Sequence, residues 1–338
     1  MTMDDNNPKF SKATPATAEL GIVIVNYRTP KLIIDCLASL GPQLAGVDAR
    51  VAIVDNASGD GSAEAIGTFL GANDANWKNR VFLIQSETNS GFSGGNNLGL
   101  SYLSAPYYLL LNSDTLVRER SLEALLASAS DHETAGIIAP RLEDPDGTPQ
   151  QSVFRTISPL TEFASAATFS LFDKLFPGAT VSRPVPAGVT DADWVSFACV
   201  LLRHELLTDI GTMDEGYFMY FEDTDYCLSA KRAGWRVIYD PSACVVHLRG
   251  GSSPVKKAIR ENKRPPAYFY ASRTRYFRKT FGVFGPTIAN AAWLAGRAVS
   301  SFRVLVGRKK APVCKNQHTD IWLNWRNPLG NNHAPASH

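Results

Sequence analysis

An apolar run at residues 107–111, YYLLL, is followed directly by the polar residues Asn112, Ser113 and Asp114. A continuous apolar run bounded by turn-forming residues is typical of a strand buried on both faces of a parallel sheet. Ligands of open α/β sheets bind beyond the carboxyl ends of such strands, so the pattern places the carboxylate of Asp114 where binding or catalysis is expected. The alternative is that these polar residues only cap a following helix that includes Ser121.

A second acidic group, Glu222 and Asp223, follows the aromatic stretch YFMYF at the start of a predicted helix that Gly234 ends. A carboxylate at a helix start ordinarily caps the helix. A carboxylate within hydrogen-bond reach of a hydroxyl group can instead remove its proton as a general base. The residues alone leave both roles open. His247 lies at the end of a later predicted strand.

Four apolar runs in the first third of the chain alternate with segments that are typical of helices. Strands and helices that alternate at this spacing predict a three-layer α/β domain with a parallel sheet. Each predicted strand ends in Asn, Asp or Gly residues, and four such ends together favour a shared nucleotide-sized site over four unrelated strand caps. The runs occupy residues 21–26, 51–54, 81–85 and 107–111.

The stretch NSGFSGGNN, residues 89–97, matches no common phosphate-binding loop. It lacks the Lys-Ser/Thr pair of a Walker A sequence and the GxGxxG spacing of a dinucleotide fingerprint. Its glycines would let the backbone approach a ligand closely, or would serve a tight loop. The sequence therefore predicts a loop here, followed by a helix to about Leu103.

The next part of the chain is less regular. Residues 151–192 contain four prolines and predict a loop-rich insertion. The run WVSFACVLL at residues 194–202 predicts another buried strand, and a helix is predicted over 204–210. Two short strands are predicted at 236–239 and 243–247.

Cysteine usage and the first residues indicate a compartment. The five cysteines are scattered, and none has CxxC spacing. This pattern argues against a disulfide framework and a zinc site, and it is typical of a reducing environment. The first 18 residues are polar and show no apolar segment of a signal peptide. We therefore expect a cytoplasmic protein.

The net charge of +2 hides a division along the chain. Residues 249–311 carry 15 Lys or Arg against one acid, whereas the first 248 residues carry 17 against 30. A basic region beside an acidic domain predicts an anionic partner. A membrane surface is the favoured partner, and nucleic acid is a weaker alternative because no nucleic-acid-binding fold is recognised.

Within the basic region, apolar residues recur at steps of four and three, which predicts a helix with an apolar stripe. Arg297 and Arg303 interrupt it, so no stretch of about 20 uncharged residues exists to span a bilayer. We expect the stripe to lie on a membrane surface, on the core of the protein or on a second subunit. Its members are Ile288, Ala292, Ala295, Val299, Phe302 and Val306.

Together these segments resemble the inverting GT-A fold glycosyltransferases of family 2, and within it the bacterial rhamnosyltransferase-like branch. The resemblance covers residues 20–250 in the family's order. It implies an α/β fold, the GT-A three-layer α/β/α architecture with a mainly parallel central sheet. The matching segments are IVIVNYRT with CLASL, VDNASGDGS, NSGFSGGNN, LLLNSDT, PRLEDPDG and FMYFEDTDYCLSAKRAGWRVIYDPSACVVH.

The resemblance also implies a division of the chain. The GT-A domain would occupy residues 19–250, after a disordered tail at 1–18. A basic helical region at 251–312 and a tail at 313–338 would follow it.

Site residues carry over from the same resemblance. It implies that Asp114 binds Mg²⁺ or Mn²⁺ through the family's Asp-x-Asp motif, in which Asn112 replaces the first acid. This replacement implies weaker metal binding, or an Asn112 side chain that faces the ribose. His247 either completes the metal shell or is a structural histidine. The residues implied to contact the nucleotide and donor sugar are Asn26, Tyr27, Asp55, Asn56, Asn89, Gly91, Phe92 and Asn96.

The chemistry of such enzymes needs a base as well as a metal. A divalent cation stabilises the charge that develops on the leaving nucleoside diphosphate. A carboxylate takes the proton of the acceptor hydroxyl, which attacks from the opposite face. The family places this base in an acidic pair at a helix start, which implies Asp223 here, with Glu222 as the rival. Trp194 would line the donor or acceptor pocket, or belong to the core.

These implications predict a metal-dependent inverting glycosyltransferase. The expected donor is dTDP-rhamnose, or a UDP-sugar, and the expected acceptor is a hydroxyl of a cell-surface polysaccharide or lipid-linked glycan. We expect the protein at the inner face of the cell membrane, with residues 249–310 as the contact, without nucleic acid, and with a homodimer as a further alternative. The competing functions are a nucleotidyltransferase on a similar sheet and a non-catalytic nucleotide-sugar-binding protein.

Overall fold

The computed structural model describes residues 18–167, 177–248, 254–305 and 312–335. The disordered tail predicted at residues 1–18 lies outside this part of the chain, apart from Ala18. In the described residues a mixed sheet forms the centre of the fold, and a separate two-stranded sheet lies beside it. Short 3₁₀ helices occur at Gly41–Gly46 and Pro177–Ala179.

Strands and helices alternate through the first half of the chain, as predicted. The strands are β1 Leu20–Asn26, β2 Ala49–Asp55, β3 Val81–Gln85, β4 Tyr107–Asn112, β5 Thr115–Val117, β6 Ala135–Glu143, β7 Val153–Phe154, β8 Thr190–Asp191, β9 Trp194–Val195, β10 Cys199–Arg203 and β11 Arg236–His247. The helices are α1 Pro30–Leu40, α2 Ser62–Ala72, α3 Asp74–Trp77, α4 Gly91–Ser101, α5 Ser121–Asp131, α6 Pro159–Ala167, α7 His204–Ile210, α8 Glu222–Arg232, α9 Pro254–Arg260, α10 Ala267–Phe281, α11 Gly285–Leu305 and α12 Gln317–Asp320.

The main sheet has the order β3-β2-β1-β4-β10-β6-β11-β5, and β8 pairs with β11. Strands β1 to β4 are parallel to one another. Strand β10 is antiparallel to both of its neighbours, β4 and β6, so the sheet is mixed. The prediction of a single strand at residues 194–202 is therefore wrong, because β9 pairs with β7 outside the main sheet.

The strand that ends the α/β domain also differs from its prediction. The two short strands expected at residues 236–239 and 243–247 form one strand, β11. Its pairing with β6 is interrupted by a register shift between Asp240 and Cys244. The residues between the predicted strands therefore bulge within one strand instead of separating two.

The central parallel strands β1, β2 and β4 are buried on both faces, which explains their continuous apolar sequences. In β1, Ile22 and Ile24 belong to a core that includes α1, whereas Val23 belongs to a second core that includes Leu100 of α4. Side chains divide in this way because successive strand residues point to opposite faces of a sheet. The two cores join the three layers of the domain.

The loop predicted over NSGFSGGNN is wrong from Gly91 onward, because these residues begin helix α4. Glycine is a poor helix former, but two glycines of α4, one of them just after this stretch, let the helix pack closely on the sheet. A Cβ atom at Gly99 would lie 2.4 Å from Val23 Cγ1, and one at Gly95 would lie 2.8 Å from Val25 Cγ1. Packing against the sheet therefore overrides local helix propensity.

The basic C-terminal region packs on the α/β domain. A Cβ atom at Gly296 of α11 would lie 2.4 Å from the carbonyl oxygen of Phe163, so α11 and α6 approach closely. Within the segment expected as a tail, Ile321 is buried, and its carbonyl oxygen accepts a hydrogen bond from Asn290 Nδ2 at 2.9 Å. The last described segment is thus attached to α11.

All five cysteines are free thiols. Cys36 and Cys199 are buried in the core that includes α1, and Cys227 is buried in the core that includes α4. Burial raises the pKa of Cys36 to about 12, and it also raises the pKa values of Cys199 and Cys227. Cys244 is half-buried.

Candidate active site

The carboxyl ends of β1 and β2 hold a buried network centred on Asp55. Asn26 and Asp55 are neighbours in the parallel register of the two strands. The Oδ1 atom of Asp55 accepts hydrogen bonds from Asn26 Nδ2 at 2.8 Å and from Ser58 Oγ at 2.6 Å. Asn26 Oδ1 accepts a hydrogen bond from Thr29 Oγ1 at 2.8 Å. Two residues predicted to meet the nucleoside are thus held in one arrangement.

Tyr27 extends from this network and is 37% exposed. The Arg28 guanidinium lies 5.3 Å from the centre of the Tyr27 ring, and its Nε donates to the carbonyl oxygen of Ser58 at 3.0 Å. An exposed aromatic ring beside a fixed cation can stack on a nucleobase. Sequence reasoning missed Arg28 and Ser58, because the residues that fix them are about 30 positions away in the chain.

Asn56 joins the network to the start of α4. Its Nδ2 atom donates to the carbonyl oxygen of Gly91 at 2.9 Å and to Asn89 Oδ1 at 3.2 Å. Asn89 Oδ1 also accepts a hydrogen bond from the backbone nitrogen of Gly91 at 3.0 Å. The structure therefore brings Asn56, Asn89 and Gly91 together, as the resemblance implied.

Phe92 connects α4 to the segment before the acidic pair. Its backbone nitrogen donates to the carbonyl oxygen of Phe218 at 2.8 Å. Gly91 has a φ of 74°, and a Cβ atom there would lie 2.0 Å from the same oxygen, so this approach requires glycine. Asn96, by contrast, is buried within α4 and donates to the carbonyl oxygen of Phe92 at 2.9 Å. Its described contact is therefore internal to the helix.

Strands β5 and β11 bring Asp114 and His247 together. His247 is the ladder partner of Thr115, and its Nε2 atom lies 3.5 Å from Asp114 Oδ1. Both side chains are 10% exposed. The Oγ atom of Ser113 lies 3.2 Å from Thr29 Oγ1, which places this pair beside the network at β1.

The chemistry of this pair suits a divalent cation. Two adjacent ligands in an octahedral shell of Mg²⁺ lie about 3 Å apart, close to the observed separation of the imidazole nitrogen and the carboxylate oxygen. Within the described residues, no group of three or more His, Cys, Asp or Glu side chains is placed to hold a metal. The pair therefore fits an ion whose other ligands are water and phosphate oxygens. Asn112 is half-buried at the end of β4, and its carbonyl oxygen accepts a hydrogen bond from Thr115 Oγ1 at 2.6 Å.

Gln150 fixes the strand end that carries His247. Its Nε2 atom donates to the carbonyl oxygen of His247 at 2.8 Å and to Asp144 Oδ1 at 2.6 Å. Gln150 is buried, and its Oε1 atom has no hydrogen-bond partner among the described residues. Sequence reasoning missed Gln150, because 97 positions separate it from His247.

Glu222 and Asp223 begin α8, at the predicted helix start. Phe221 occupies the N-cap position without a side-chain cap, so neither acid is the N-cap of this helix. The Oδ1 atom of Asp223 accepts a hydrogen bond from the backbone nitrogen of Thr224 at 2.7 Å. Glu222 is 7% exposed, and its Oε2 atom has no hydrogen-bond partner in the described chain.

Burial shifts the pKa values of both acids. It raises the pKa of Asp223 to about 6, and hydrogen bonds from Thr224 and the charge of Lys256 limit the rise. Burial and the negative charge of Asp223 raise the pKa of Glu222 well above its usual range. With a pKa of about 6, Asp223 is ionised at neutral pH and can accept a proton.

The turn before α8 is strained and held by α10. Tyr220 and Phe221 have φ values of 72° and 68°, a region that non-glycine residues rarely adopt. The ring of Phe269 in α10 lies 5.7 Å from each of their rings, centre to centre. Ser272 Oγ donates to the carbonyl oxygen of Met219 at 3.1 Å. A helix of the basic region thus supports the turn that orients the acidic pair.

A charged cluster adds a second link between α10 and α8. Lys279 Nζ lies 2.6 Å from Asp225 Oδ2 in the first turn of α8 and 2.8 Å from Asp214 Oδ2. Arg275 donates to both Asp214 oxygens, at 2.7 and 2.9 Å. Burial alone would raise the pKa of Asp214, yet Arg275 and Lys279 lower it to about 2. These contacts could not be predicted from the sequence, because more than 50 positions separate the partners.

Trp194 lies apart from these contacts. Its ring stacks on Phe154 at 4.1 Å, centre to centre, and its Nε1 atom donates to the carbonyl oxygen of Arg155 at 2.8 Å. The side chain is half-buried and packs against the core that includes α4. Its described contacts are structural and do not join the contacts that extend from Asn26 to Asp114.

Known proteins share this architecture. Residues 21–184 match the family model described as Glycosyl transferase family 2. The chain is 28% identical over 250 residues to N-acetylglucosaminyl-diphospho-decaprenol L-rhamnosyltransferase of Mycobacterium tuberculosis. This match covers 70% of the chain and 78% of the relative. It is 28% identical over 221 residues to the low-salt glycan biosynthesis hexosyltransferase Agl10 of Haloferax volcanii, which covers 63% of this chain and 62% of that protein.

A solved structure has the same fold. The mannosyltransferase PcManGT from Pyrobaculum calidifontis, in complex with GDP-Man and Mn²⁺, superposes with a TM-score of 0.55 at 14% sequence identity. The match covers 96% of this chain and 88% of that chain. The predicted α/β fold of GT-A type is confirmed.

Proposed function

We propose that this chain, a glycosyltransferase with a family 2 domain over residues 21–184, transfers a sugar from a nucleotide donor and inverts the configuration of the transferred carbon. The proposed donor is dTDP-rhamnose, because the mycobacterial relative is named as an L-rhamnosyltransferase. A UDP-sugar is the second candidate. The observation that carries the proposal is Asp223, a carboxylate with a pKa of about 6 at the start of α8. The backbone hydrogen bond between Phe92 and Phe218 links the segment before α8 to the start of α4, where we propose that the donor binds.

The carboxyl ends of β1 and β2 would bind the nucleoside. Asn26 and Asp55 are held by each other and by Ser58, so their remaining hydrogen-bonding capacity has a fixed direction. Tyr27 supplies an exposed ring for the base. Asn56 holds the start of α4 in place, and Asn89 and Gly91 there would lie along the donor.

Asp114 and His247 are the residues that would hold Mg²⁺ or Mn²⁺. When bound, such an ion neutralises charge on the leaving nucleoside diphosphate. Asp114 supplies the only carboxylate of the pair, and Gln150 fixes the strand end that carries His247. Because the protein offers two ligands here, we expect weak metal binding until a nucleoside diphosphate adds its oxygens.

Asp223 would act as the general base. Its ionised carboxylate takes the proton of the acceptor hydroxyl while the hydroxyl oxygen forms a bond to the anomeric carbon. The bond between that carbon and the phosphate oxygen breaks on the opposite face, which inverts the configuration. Glu222 lies beside Asp223, and burial and the negative charge of Asp223 raise its pKa and so favour its neutral form.

The proposed acceptor is a hydroxyl of a lipid-linked or cell-surface glycan. The mycobacterial relative is named for an acceptor on diphospho-decaprenol, which a membrane would hold. The reaction would therefore take place at the inner face of the cell membrane, with the basic region at residues 249–310 on the membrane side.

A donor panel tests the proposed substrate class. Thermal unfolding is measured with UDP-, GDP- and dTDP-sugars, each with and without Mn²⁺, and transfer is then assayed with the stabilising donors. We expect the largest stabilisation from dTDP-rhamnose with Mn²⁺. Stabilisation by nucleoside triphosphates alone, with release of pyrophosphate, would instead indicate a nucleotidyltransferase.

The variant Asp223→Asn tests the proposed base. We expect transfer to fall by about 10²- to 10⁴-fold, because the amide cannot accept the proton. Donor binding, measured by thermal shift, should stay near wild type. Asp131→Asn, an exposed carboxylate at the end of α5, is the matched control and should retain full activity. Full activity in Asp223→Asn would contradict the assignment.

A further inference from the structure

Helix α11 exposes most of its apolar residues, and apart from Trp293 the positions it buries towards the protein are small or polar. The buried positions are Ala289, Asn290, Trp293, Gly296 and Ser300. The exposed apolar positions, together with Phe284 directly before the helix, form a set that we name the outer stripe. Its members are Phe284, Ile288, Ala291, Ala295, Ala298, Val299 and Phe302. A surface helix of a soluble domain ordinarily shows the reverse distribution.

The outer stripe is continuous along the helix. At 100° per residue its members fall within a sector of about 100°, and from first to last it is about 27 Å long. Phe284 is 71% exposed, Phe302 66% and Ile288 51%. The expectation that the predicted stripe packs on the core of the protein is therefore wrong for Ile288, Ala295, Val299 and Phe302, which are exposed, because the core contacts lie on the opposite face of α11. Ala292, also expected in the stripe, is half-buried. Val306, also expected in the stripe, lies outside the described residues.

Arg303 borders the outer stripe, and no charged residue lies within it. At 100° per residue Arg303 is about 40° from the edge of the stripe, whereas Arg297 lies towards the buried face. Arg297 Nη1 donates to the carbonyl oxygen of Pro312 at 3.3 Å, and Arg303 Nη1 donates to that of Ala167 at 2.9 Å. The sequence of α11 contains no acid. Residues 254–305 and 312–335 together carry 13 Lys or Arg against two acids, Glu261 and Asp320. Even when the acids of the α/β domain that pair with them, Glu162, Asp214 and Asp225, are included, eight positive charges are in excess. The C-terminal region is therefore suited to a negatively charged surface.

Exposed apolar and aromatic residues extend the apolar surface at the N-terminal end of the outer stripe. Val283 is 62% exposed and Phe281 is 38% exposed. Trp325, which is 42% exposed, donates its Nε1 atom to Thr287 Oγ1 at 2.9 Å. Tryptophan with an apolar ring and a polar N–H group is favoured at the boundary of a bilayer.

We propose that the outer stripe docks on an anionic lipid bilayer, with α11 lying in the plane of its surface. Among the described helices, none is long and apolar enough to cross a membrane. A second copy of the chain is a poorer occupant, because two facing stripes would bring the arginines of both helices together with no acid on either. The exposed apolar face and the surrounding cations together match a bilayer with anionic headgroups.

This inference extends the proposed function, since a lipid-linked acceptor would be presented at such a surface. Vesicle binding can be measured without donor or acceptor. A failure to bind vesicles therefore leaves the transfer proposal standing, and a failure of transfer leaves the docking proposal standing.

Flotation with vesicles tests the outer stripe. The full chain is mixed with vesicles of equal parts phosphatidylcholine and phosphatidylglycerol, and the bound fraction is measured after flotation. We expect wild type to float with the vesicles, and the double variant Phe284→Ser with Phe302→Ser to bind at least about tenfold more weakly. Phe82→Ser, a 42% exposed phenylalanine on edge strand β3, is the matched control and should bind like wild type.

Folding and oligomeric state are measured on the same samples. Thermal unfolding should be unchanged in the double variant, because both phenylalanines are exposed. If it does unfold, Ala295→Lys provides an independent test by placing a charge in the middle of the stripe. Wild type that does not float, or variants that float like wild type, would overturn the proposal. A wild-type dimer that the same variants dissociate, seen by light scattering without vesicle binding, would also overturn it.

Discussion

Glu222 and Asp223 are adjacent in the chain, yet the fold gives them different chemistry. In a flexible peptide both would ionise near pH 4. Here burial and the charge of Asp223 raise the pKa of Glu222 well above its usual range, whereas burial raises the pKa of Asp223 to about 6. The sequence could place an acidic pair at a helix start, but it could not assign the base, because the two burial environments are formed by residues far away in the chain.

Glu222→Gln separates the two acids experimentally. Glutamine resembles a protonated glutamate, so we expect transfer within a few-fold of wild type. The rate of both proteins should rise as the pH increases through about 6, because Asp223 must lose its proton to act as a base. The measurement is the transfer rate against pH under saturating substrates. If Glu222→Gln is inactive while Asp223→Asn is active, the two roles are reversed.

Asp114→Ala tests the proposed metal site. We expect the additional stabilisation that Mn²⁺ gives in the presence of dTDP to disappear, because the carboxylate of the pair is gone. His247→Ala should reduce the same effect, and Asp131→Ala should leave it unchanged. The readout is the shift in thermal unfolding with nucleotide alone, with Mn²⁺ alone and with both. A full Mn²⁺ effect in Asp114→Ala would exclude this residue as a ligand.

At the scale of elements, the first four strands of the main sheet were predictable and the glycine-rich start of α4 was not. Strands β1, β2 and β4 are buried on both faces, so their apolar runs indicate them. Helix α4 contains glycines that disfavour helices locally, and its reason for forming lies in Val23 and Val25 of the neighbouring strand. The branching of β9 from β10 was also hidden, because both lie within one apolar run.

Gly99→Ala tests how closely α4 packs on the sheet. Alanine favours helices, but its Cβ atom would lie 2.4 Å from Val23 Cγ1, so we expect a net loss of about 1–3 kcal/mol in the free energy of unfolding. Gly67→Ala in α2 is the matched control, since its nearest neighbour is Leu83 Cδ2 at 3.9 Å. That variant should gain about 0.5–1 kcal/mol. Urea unfolding measures both, and equal effects would contradict the packing argument.

The packing of α10 against the turn before α8 could not be predicted from the sequence. Helix α10 is rich in aromatic residues and arginine. Its partners, the strained residues Tyr220 and Phe221, follow from the three-dimensional packing alone. The orientation of the acidic pair therefore depends on a helix from the basic region.

Across the whole molecule, part of the charge division is satisfied internally. Arg273 is 5% exposed in its side chain, and its Nη2 atom lies 2.8 Å from Glu162 Oε2. Arg275 and Lys279 likewise pair with Asp214. These basic residues of the C-terminal region neutralise acids of the α/β domain. The local charge count could predict an anionic partner, but it could not distinguish an external partner from the acids of the chain itself.

Arg273→Met tests whether the basic region stabilises the α/β domain. Methionine keeps much of the side-chain length but leaves Glu162 without its buried partner, and Asn290 Oδ1 also loses its hydrogen bond at 2.7 Å. We expect a loss of about 3 kcal/mol in the free energy of unfolding. Lys257→Met, an exposed lysine on α9, should change it by less than about 0.5 kcal/mol. Equal stability of the two variants in urea would refute the internal pairing.

The free thiols can be used to follow the unfolding of the protein. The thiolate is the form that attacks alkylating reagents, and burial keeps Cys36, Cys199 and Cys227 both covered and protonated. Half-buried Cys244 should therefore react first. Cys36 and Cys227 lie on opposite sides of the sheet, so the order in which mass spectrometry finds them labelled would show which layer separates first. A cysteine introduced on an exposed surface could then carry a dye ahead of the thiols of Cys36, Cys199 and Cys227.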